Sequence, residues 1–386
     1  MLRPATQQGG LVTAGTFRKH LMPGLVFQGV VIGGGYGTGR EVVEYFMRFG
    51  VIGGLLGMFV VTVPVWAIIL AVTFEFARKF ETYDYRSLLR MLLGRYWISF
   101  EIFYLVLMVV VLAVVGSAAG VLLRDYFGIP YAIGVFLMLF AVGVLTFKGS
   151  GLIERSFSVW SIVIYLVYLA FLVVAVLRFG EDISANLASG EVLPGWGVAA
   201  FKYAMYNMCV IPAILFCVRH VETRREAVSA GVIAAFVGLV PAALFYVAIL
   251  AAYPGVVAQE LPVIHVLERA QAPWLLVIFV IMLFGTLIQT GTGFIHGVNE
   301  RIQRTLRGSG RDFPSWQRPL VATALLGLSL SLARFGIIAL VARGYGLISW
   351  GIFVIYFVPL MTVGLYKLSR RHTEPAASGG ENGQTA

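Results

Sequence analysis

Between Gln28 and Glu41 the chain reads Gln-Gly-Val-Val-Ile-Gly-Gly-Gly-Tyr-Gly-Thr-Gly-Arg-Glu. Five glycines fall among the seven residues from Gly33 to Gly39. Each costs roughly 1 kcal/mol of helix propensity relative to alanine, so a continuous helix is poor here and an unwound stretch is expected. The backbone groups it frees cannot face hydrocarbon and must line a polar cavity or bind something. Gly34, Gly35, Tyr36, Gly37, Thr38 and Gly39 are therefore candidate ligand contacts. Glu41 and Glu44 follow on one helical face. A carboxylate deep in an apolar run costs about 2.5–3.5 kcal/mol and normally faces a cavity with a partner. Arg40 and Lys202 are the candidate partners of Glu41, which is read either as a site residue or as half of a structural pair. Glu44, nearer the end of the run, reads as solvated or structural. Arg40 is also able to hold a substrate carboxylate. A second interruption lies at Tyr206-Asn207-Met208-Cys209-Val210-Ile211-Pro212. Asn207 is polar at mid-run, and Pro212 removes a donor and clashes with the carbonyl of Met208. A plain proline kink is the alternative there.

These residues are carried by long apolar runs. Hydrophobic residues make up 59% of the 386 and charged residues only 12%, against about 25% charged in soluble domains. A bilayer core of about 30 Å needs roughly 20 apolar residues in a helix. Spans are expected near 22–48, 51–77, 97–123, 130–147, 154–178, 196–218, 226–252, 273–300, 318–341 and 346–366, which makes an all-α integral membrane protein. Lys and Arg concentrate in alternate loops. Arg78, Lys79, Arg86, Arg90 and Arg95 sit in the second; Arg219, Arg224 and Arg225 in the sixth; Arg301, Arg304, Arg307, Arg311 and Arg318 in the eighth. By the positive-inside rule this places both termini in the cytoplasm of a multi-pass plasma-membrane protein, and a bacterial source is expected. It also accounts for the net charge of +10 without a nucleic-acid partner. Residues 1–20 read as a flexible cytoplasmic N-terminus, 21–367 as one transmembrane domain with halves near 21–180 and 195–367, and 368–386 as a disordered cytoplasmic tail. Cys209 and Cys217 lie about 12 Å apart along one helix, too far for a disulfide. Gly53, Gly54, Gly57, Gly116 and Gly120 read as helix-packing positions. Trp97, Trp196, Trp316 and Trp350 fall near span ends, as interfacial anchors do. His296, Asn299 and Glu300 mark the cytoplasmic end of the eighth span. Tyr165 and Tyr168 read as packing residues. No nucleotide-binding motif, nucleophile–base pair or metal-ligand spacing is present.

Spans one and six hold matching places if ten spans divide into two halves of five. An odd number per half inverts one half relative to the other. Interrupted segments at matching places are the best sequence pointer to a transporter binding site. The stretch Gly33–Glu41, with Phe46 and Phe49-Gly50, resembles the first helix of YkvI-like bacterial membrane proteins; Tyr206-Asn207 and Thr290-Gly291 also look familial. That family is similar to the amino acid–polyamine–organocation transporters. The resemblance implies a LeuT-type five-plus-five inverted repeat with discontinuous helices one and six. At position 40 the chain has Arg where the family commonly has a neutral polar residue or Lys. An Arg beside Glu41 would neutralise it and argues against a proton-carrier role. In sodium-coupled relatives of this fold, oxygens at helical i, i+3, i+4 spacing bind sodium beside the first helix. Thr286, Gln289 and Thr290 have that spacing, with Gln in place of one hydroxyl, and Ile32 and Gly33 are the expected facing carbonyls. The alternative for the threonines is bonding to their own i−4 carbonyls. The fifth span has no internal Lys to stand in for sodium, as some proton-coupled relatives have. Half-helix ends at the breaks suit a zwitterion, with Glu41, Tyr206 and Asn207 among the contacts. The expected function is ion-coupled secondary transport of an amino acid or similar small organic solute, sodium rather than proton, with no cofactor beyond sodium and no obligatory protein partner. A receptor or scaffold that keeps the fold without transport is the alternative.

Overall fold

The computed structural model describes residues 16–147, 150–307 and 317–370. The expected flexible N-terminus up to residue 15 and the tail beyond 370 lie outside the described residues, as do Trp316 and the side chains of His296, Asn299 and Glu300. Among the described residues every regular element is helical.

The first apolar run is broken into α1 (Met22–Val31), α2 (Gly34–Gly37) and α3 (Arg40–Tyr45). Then follow α4 (Val51–Lys79), the short α5 (Tyr85–Leu93), α6 (Ile98–Phe127), α7 (Tyr131–Phe147) and α8 (Ser150–Ala188), which bends at Phe179. The second half holds α9 (Trp196–His220) and α10 (Arg224–Ala252), the short α11 (Pro262–Arg269), α12 (Pro273–Arg307), α13 (Gln317–Ala333) and α14 (Gly336–Ser369).

Seven helical stretches among the described residues are long and apolar enough to cross a membrane, against the ten spans expected. The difference has a physical origin. The first run is interrupted, and α7 and α13 are 17 residues each, about 26 Å of rise. The last boundary also moves. The chain turns at Gly336, whose φ of +77° only glycine adopts freely, so the final helix begins ten residues before the expected 346. Phe17–Leu21, expected to be part flexible, is a helical turn. Lys19 ties it to Glu222 and Glu226 at 3.0 and 3.1 Å.

The long helices show large apolar side chains on their outer faces: Leu166, Leu177, Leu347 and Val354 are all more than half exposed. In water such a surface would aggregate; in lipid it is the required one. Inside, α1, α4, α9 and α10 pack on one another, and α6, α7, α12 and α13 form a second group. The long α8 leans on α10 and α12, and α14 on α9 and α6, so each touches both groups. Small residues set these approaches. A Cβ on Gly120 would meet Val135 at 2.7 Å across the α6–α7 contact, and one on Gly54 would meet the Tyr246 hydroxyl at 2.4 Å. Cys209 and Cys217 are buried and form no disulfide.

Candidate functional site

The glycine-rich segment leaves helical geometry at two points, not throughout. Ile32 turns to ψ 89° and Gly33 is extended. One helical turn, Gly34–Gly37, follows, and then Gly39 takes a left-handed φ of +80° before α3. A side chain at Gly39 would be strained there and would also strike Ile249 and Val263 at 2.9 Å. The backbone groups at this second break are met by protein. The Thr38 carbonyl accepts Val263 N–H at 3.3 Å, and the Thr38 hydroxyl accepts Arg40 N–H at 3.2 Å. The expected wholly unwound stretch is thus corrected: the intervening turn closes its own hydrogen bond, Gly37 N–H to Gly33 carbonyl, at 3.0 Å.

The first break opens on a cavity of about 410 Å³ between the two helix groups. Ile32, Gly33, Thr286, Gln289 and Thr290, far apart in sequence, all lie on its wall. The Thr290 methyl is 3.9 Å from where a Cβ on Gly33 would sit. Thr286 is partly committed elsewhere: its hydroxyl donates to the Met282 carbonyl at 2.8 Å and accepts the Trp160 indole N–H at 3.3 Å. Gln289 differs, for its side-chain carbonyl oxygen is buried with no hydrogen-bond partner. Tyr165, also on the wall, donates to the Gln28 side-chain oxygen at 3.2 Å.

Tyr36, Thr38, Glu41, Tyr206 and Asn207 lie deeper, all nearly inaccessible. The structure joins Glu41 to Tyr206, whose hydroxyl donates to the carboxylate. The ring of Tyr206 lies 4.8 Å from Tyr345 and 5.6 Å from both Tyr45 and Tyr203, centroid to centroid. Asn207 has a local role, its amide donating to the Tyr203 carbonyl one turn back at 2.9 Å. Gly34 and Gly35 form the intervening turn itself. The sixth span is interrupted in a milder way than expected. α9 tightens to a 3-10 helix at Met208–Val210 and again at Leu215–His220, without an extended residue between. Pro212 falls in the first turn of the short α-helical piece Ile211–Ile214, where its missing N–H is no loss.

Neither expected partner neutralises Glu41. Consecutive residues on a helix point about 100° apart, so Arg40 faces away. Its guanidinium holds Glu44 at 2.6 Å and the carbonyls of Val257 and Gln259 at 2.9 Å each. Glu44 also pairs with Arg48. Lys202 sits 6.0 Å over the Trp350 ring. Among the described residues Glu41 forms no ion pair. The sequence reading passed over Tyr203, whose hydroxyl is buried without a partner; so are those of Tyr36, a candidate contact, and of Tyr168, read as packing. The available signal was a tyrosine inside an apolar run, since a buried phenol normally finds a partner; sequence does not say which tyrosines turn inward.

No protein-family model matches the chain. It is 24% identical over 292 residues to the uncharacterized membrane protein YkvI of Bacillus subtilis (strain 168), covering 73% of this chain and 80% of that one. Among solved structures, a mutant of the Eremococcus coleocola manganese transporter aligns with a TM-score of 0.50 at 14% identity, over 94% of this chain and 81% of that one. A Na+-coupled sialic acid symporter, in its substrate-bound outward-open state, aligns with a TM-score of 0.51 at 12% identity, over 92% and 85%. At such identities the likeness is one of fold. The chain is a multi-pass helical membrane protein, similar in sequence to a bacterial membrane protein and in fold to membrane transporters.

Proposed function

We propose that the protein is a secondary transporter of an amino acid or similar small organic solute, working by alternating access and coupled to sodium. The observation that carries this reading is the cavity at the first break, set between two groups of helices. A site at the seam of two packed bodies is what alternating access needs, because rocking one body on the other exposes it to each side in turn. The grouping also suits an inverted five-plus-five repeat of the LeuT type over ten spans. The first and second spans pack with the sixth and seventh, and the third and fourth with the eighth and ninth. On this reading α7 and α13 complete the count at the short end of the spanning range.

For sodium, Gln289 and Thr290 with the carbonyls at Ile32 and Gly33 would supply oxygens of the kind a hard cation prefers. Thr286 is the weaker member, its proton being held by Met282. For the solute, Tyr36, Thr38, Glu41, Tyr206 and the turn Gly34–Gly39 remain the proposed contacts, reached once the tyrosine rings part. Asn207 would act by holding the end of its own helix. The two halves, near 21–180 and 195–367, would be the inverted repeats of one domain, each giving helices to both packed groups, with both termini cytoplasmic.

The test is uptake into proteoliposomes. Purified protein would first be screened for thermal stabilisation by amino acids, amines and nucleobases, with and without sodium. Labelled hits would then be offered to the vesicles under a sodium gradient. Accumulation that collapses with the gradient is expected; neither stabilisation nor accumulation with any solute would overturn the reading.

A further inference from the structure

Glu41 lies on the short helix α3, 4% exposed, inside a ring of tyrosines. Among the described residues its side-chain hydrogen bond comes from an uncharged group, the Tyr206 hydroxyl. No basic side chain among the described residues pairs with Glu41. On its own helix Arg40 pairs with Glu44, which also pairs with Arg48, and the Arg40 Nε is buried without a hydrogen-bond partner. On α9, Lys202 lies against Trp350; on α14, Arg343 is exposed. The remaining titratable neighbours are phenols: Tyr45, Tyr203, Tyr345, and Tyr246 on α10, which donates to the Val51 carbonyl at 2.6 Å. An anion in such a place would have neither water nor a counter-ion, a state strongly disfavoured at low dielectric. The carboxylic acid form avoids that cost and keeps a hydrogen bond.

A second observation gives the proton a route. Three phenol hydroxyls, of Tyr36, Tyr168 and Tyr203, are buried and unpartnered. The Tyr168 hydroxyl lies 3.2 Å from where a Cβ on Gly37 would sit, with the methyl of Thr286, a cavity-wall residue, 4.0 Å from the same point. Tyr36 occupies the turn between Gly33, on the cavity wall, and α3. Orphan hydroxyls thus mark the stretch between the cavity and Glu41. A buried hydroxyl left without a partner is costly, and water is the ordinary remedy for buried groups of this kind.

We propose that Glu41 is a proton-binding site, protonated while the tyrosine ring is closed, which releases its proton toward the cavity when the ring opens. The balance is simple. The Glu41 O–H bond breaks, its electron pair stays on the carboxylate, and the proton leaves by the hydroxyls of Tyr36 and Tyr168 and intervening water. An incoming cation then faces a free carboxylate. This rests on the transporter reading for its role in coupling, but the protonation itself does not.

The experiment is infrared difference spectroscopy on the reconstituted full chain, titrated in H₂O and D₂O without added solute. A carboxylic-acid C=O band is expected at neutral pH, downshifted in D₂O, lost at high pH and absent from Glu41→Gln. Tyr206→Phe removes the donor that favours the anion, so it should move the titration to higher pH by roughly one unit, about tenfold in proton affinity. Because Tyr206→Phe keeps Glu41 and its packing, it reads the site even if Glu41→Gln fails to fold. The proposal is overturned if no such band titrates, or if Tyr206→Phe leaves the titration unmoved. A titrating band in a protein that accumulates no solute would defeat the transporter reading and leave the proton site standing; sodium-driven uptake with no band would do the reverse.

Discussion

Gln289 and Thr286 sit one turn apart on α12 and face the same cavity, yet their oxygens are in different states. Thr286 already gives its proton to Met282 and receives one from Trp160, whereas the Gln289 carbonyl oxygen is buried and free. On the sodium reading, Gln289→Leu and Thr290→Ala should each raise the sodium concentration for half-maximal uptake about tenfold, the equivalent of about 1.4 kcal/mol per lost ligand. Thr286→Val should change that concentration little. It should instead lower thermal stability, by about 1 kcal/mol, because the Trp160 N–H loses its acceptor. Uptake indifferent to replacing sodium with choline at fixed pH would remove the site altogether. Gly37 gives a second residue-scale prediction. A methyl there would meet the Tyr168 hydroxyl and Leu283 at 3.2 Å, tight enough to push one of them aside. Gly37→Ala should slow uptake several-fold, and Tyr168→Phe in the same chain should recover part of the loss by removing the atom it strikes. No recovery would mean that Leu283, not the hydroxyl, sets the fit.

The loop after α10 closes over the C-terminal half of the first span, and one side chain latches it. Arg40 holds the carbonyls of Val257 and Gln259, while the Val263 N–H reaches back to Thr38. Hydrogen bonds to a charged group contribute about 1.5–3 kcal/mol each, so Arg40→Ala should loosen the loop far more than an exposed substitution would. The buried Val256 is the reporter: a cysteine placed there should react slowly with a maleimide in the parent chain and at least tenfold faster with Arg40→Ala. The two natural cysteines are buried and give a low background. Equal rates would show that the latch lies elsewhere. The α4–α10 contact should be the least tolerant of bulk. A Cβ on Gly231 would fall 2.4 Å from the Ala71 backbone nitrogen, and backbone on both sides leaves nothing flexible to yield. Gly231→Leu should abolish folded protein in fluorescence-detected size exclusion, while the same change at Gly197, with open space beside it, should not.

At the scale of the whole molecule the charge distribution and the packing make a joint claim. Lys and Arg cluster in alternate loops, and the proposed inverted repeat would pair helices across the halves as the contacts do. Both require the termini on one side. Single cysteines placed at Thr16 and at Ser369 should therefore label only from the cytoplasmic face of oriented vesicles, and one at the half-exposed Asp182 only from the other. Labelling of Thr16 and Ser369 from opposite faces would rule out an even number of spans and, with it, the repeat.

Composition, run length and loop charge were enough to read a helical membrane protein from the sequence, because lipid admits so few solutions for the backbone. The break in the first span was legible for a similar local reason: five glycines in seven residues make a helix there costly wherever it lies. Its form was not. The turn Gly34–Gly37 survives because Val263, at the start of α11, satisfies the second break, and α11 lies more than two hundred residues away. The oxygens facing Gly33 were legible as a spacing on one helix, since i, i+3 and i+4 share a face. Thr286 takes the i−4 bond to Met282 that was the alternative reading; that it also receives the Trp160 N–H depends on another helix. The environment of Glu41 was misread for the same kind of reason. Adjacency suggested Arg40 as its partner, but neighbours on a helix diverge, and only the packed structure shows Arg40 drawn to the loop carbonyls and Glu41 turned in among the tyrosines.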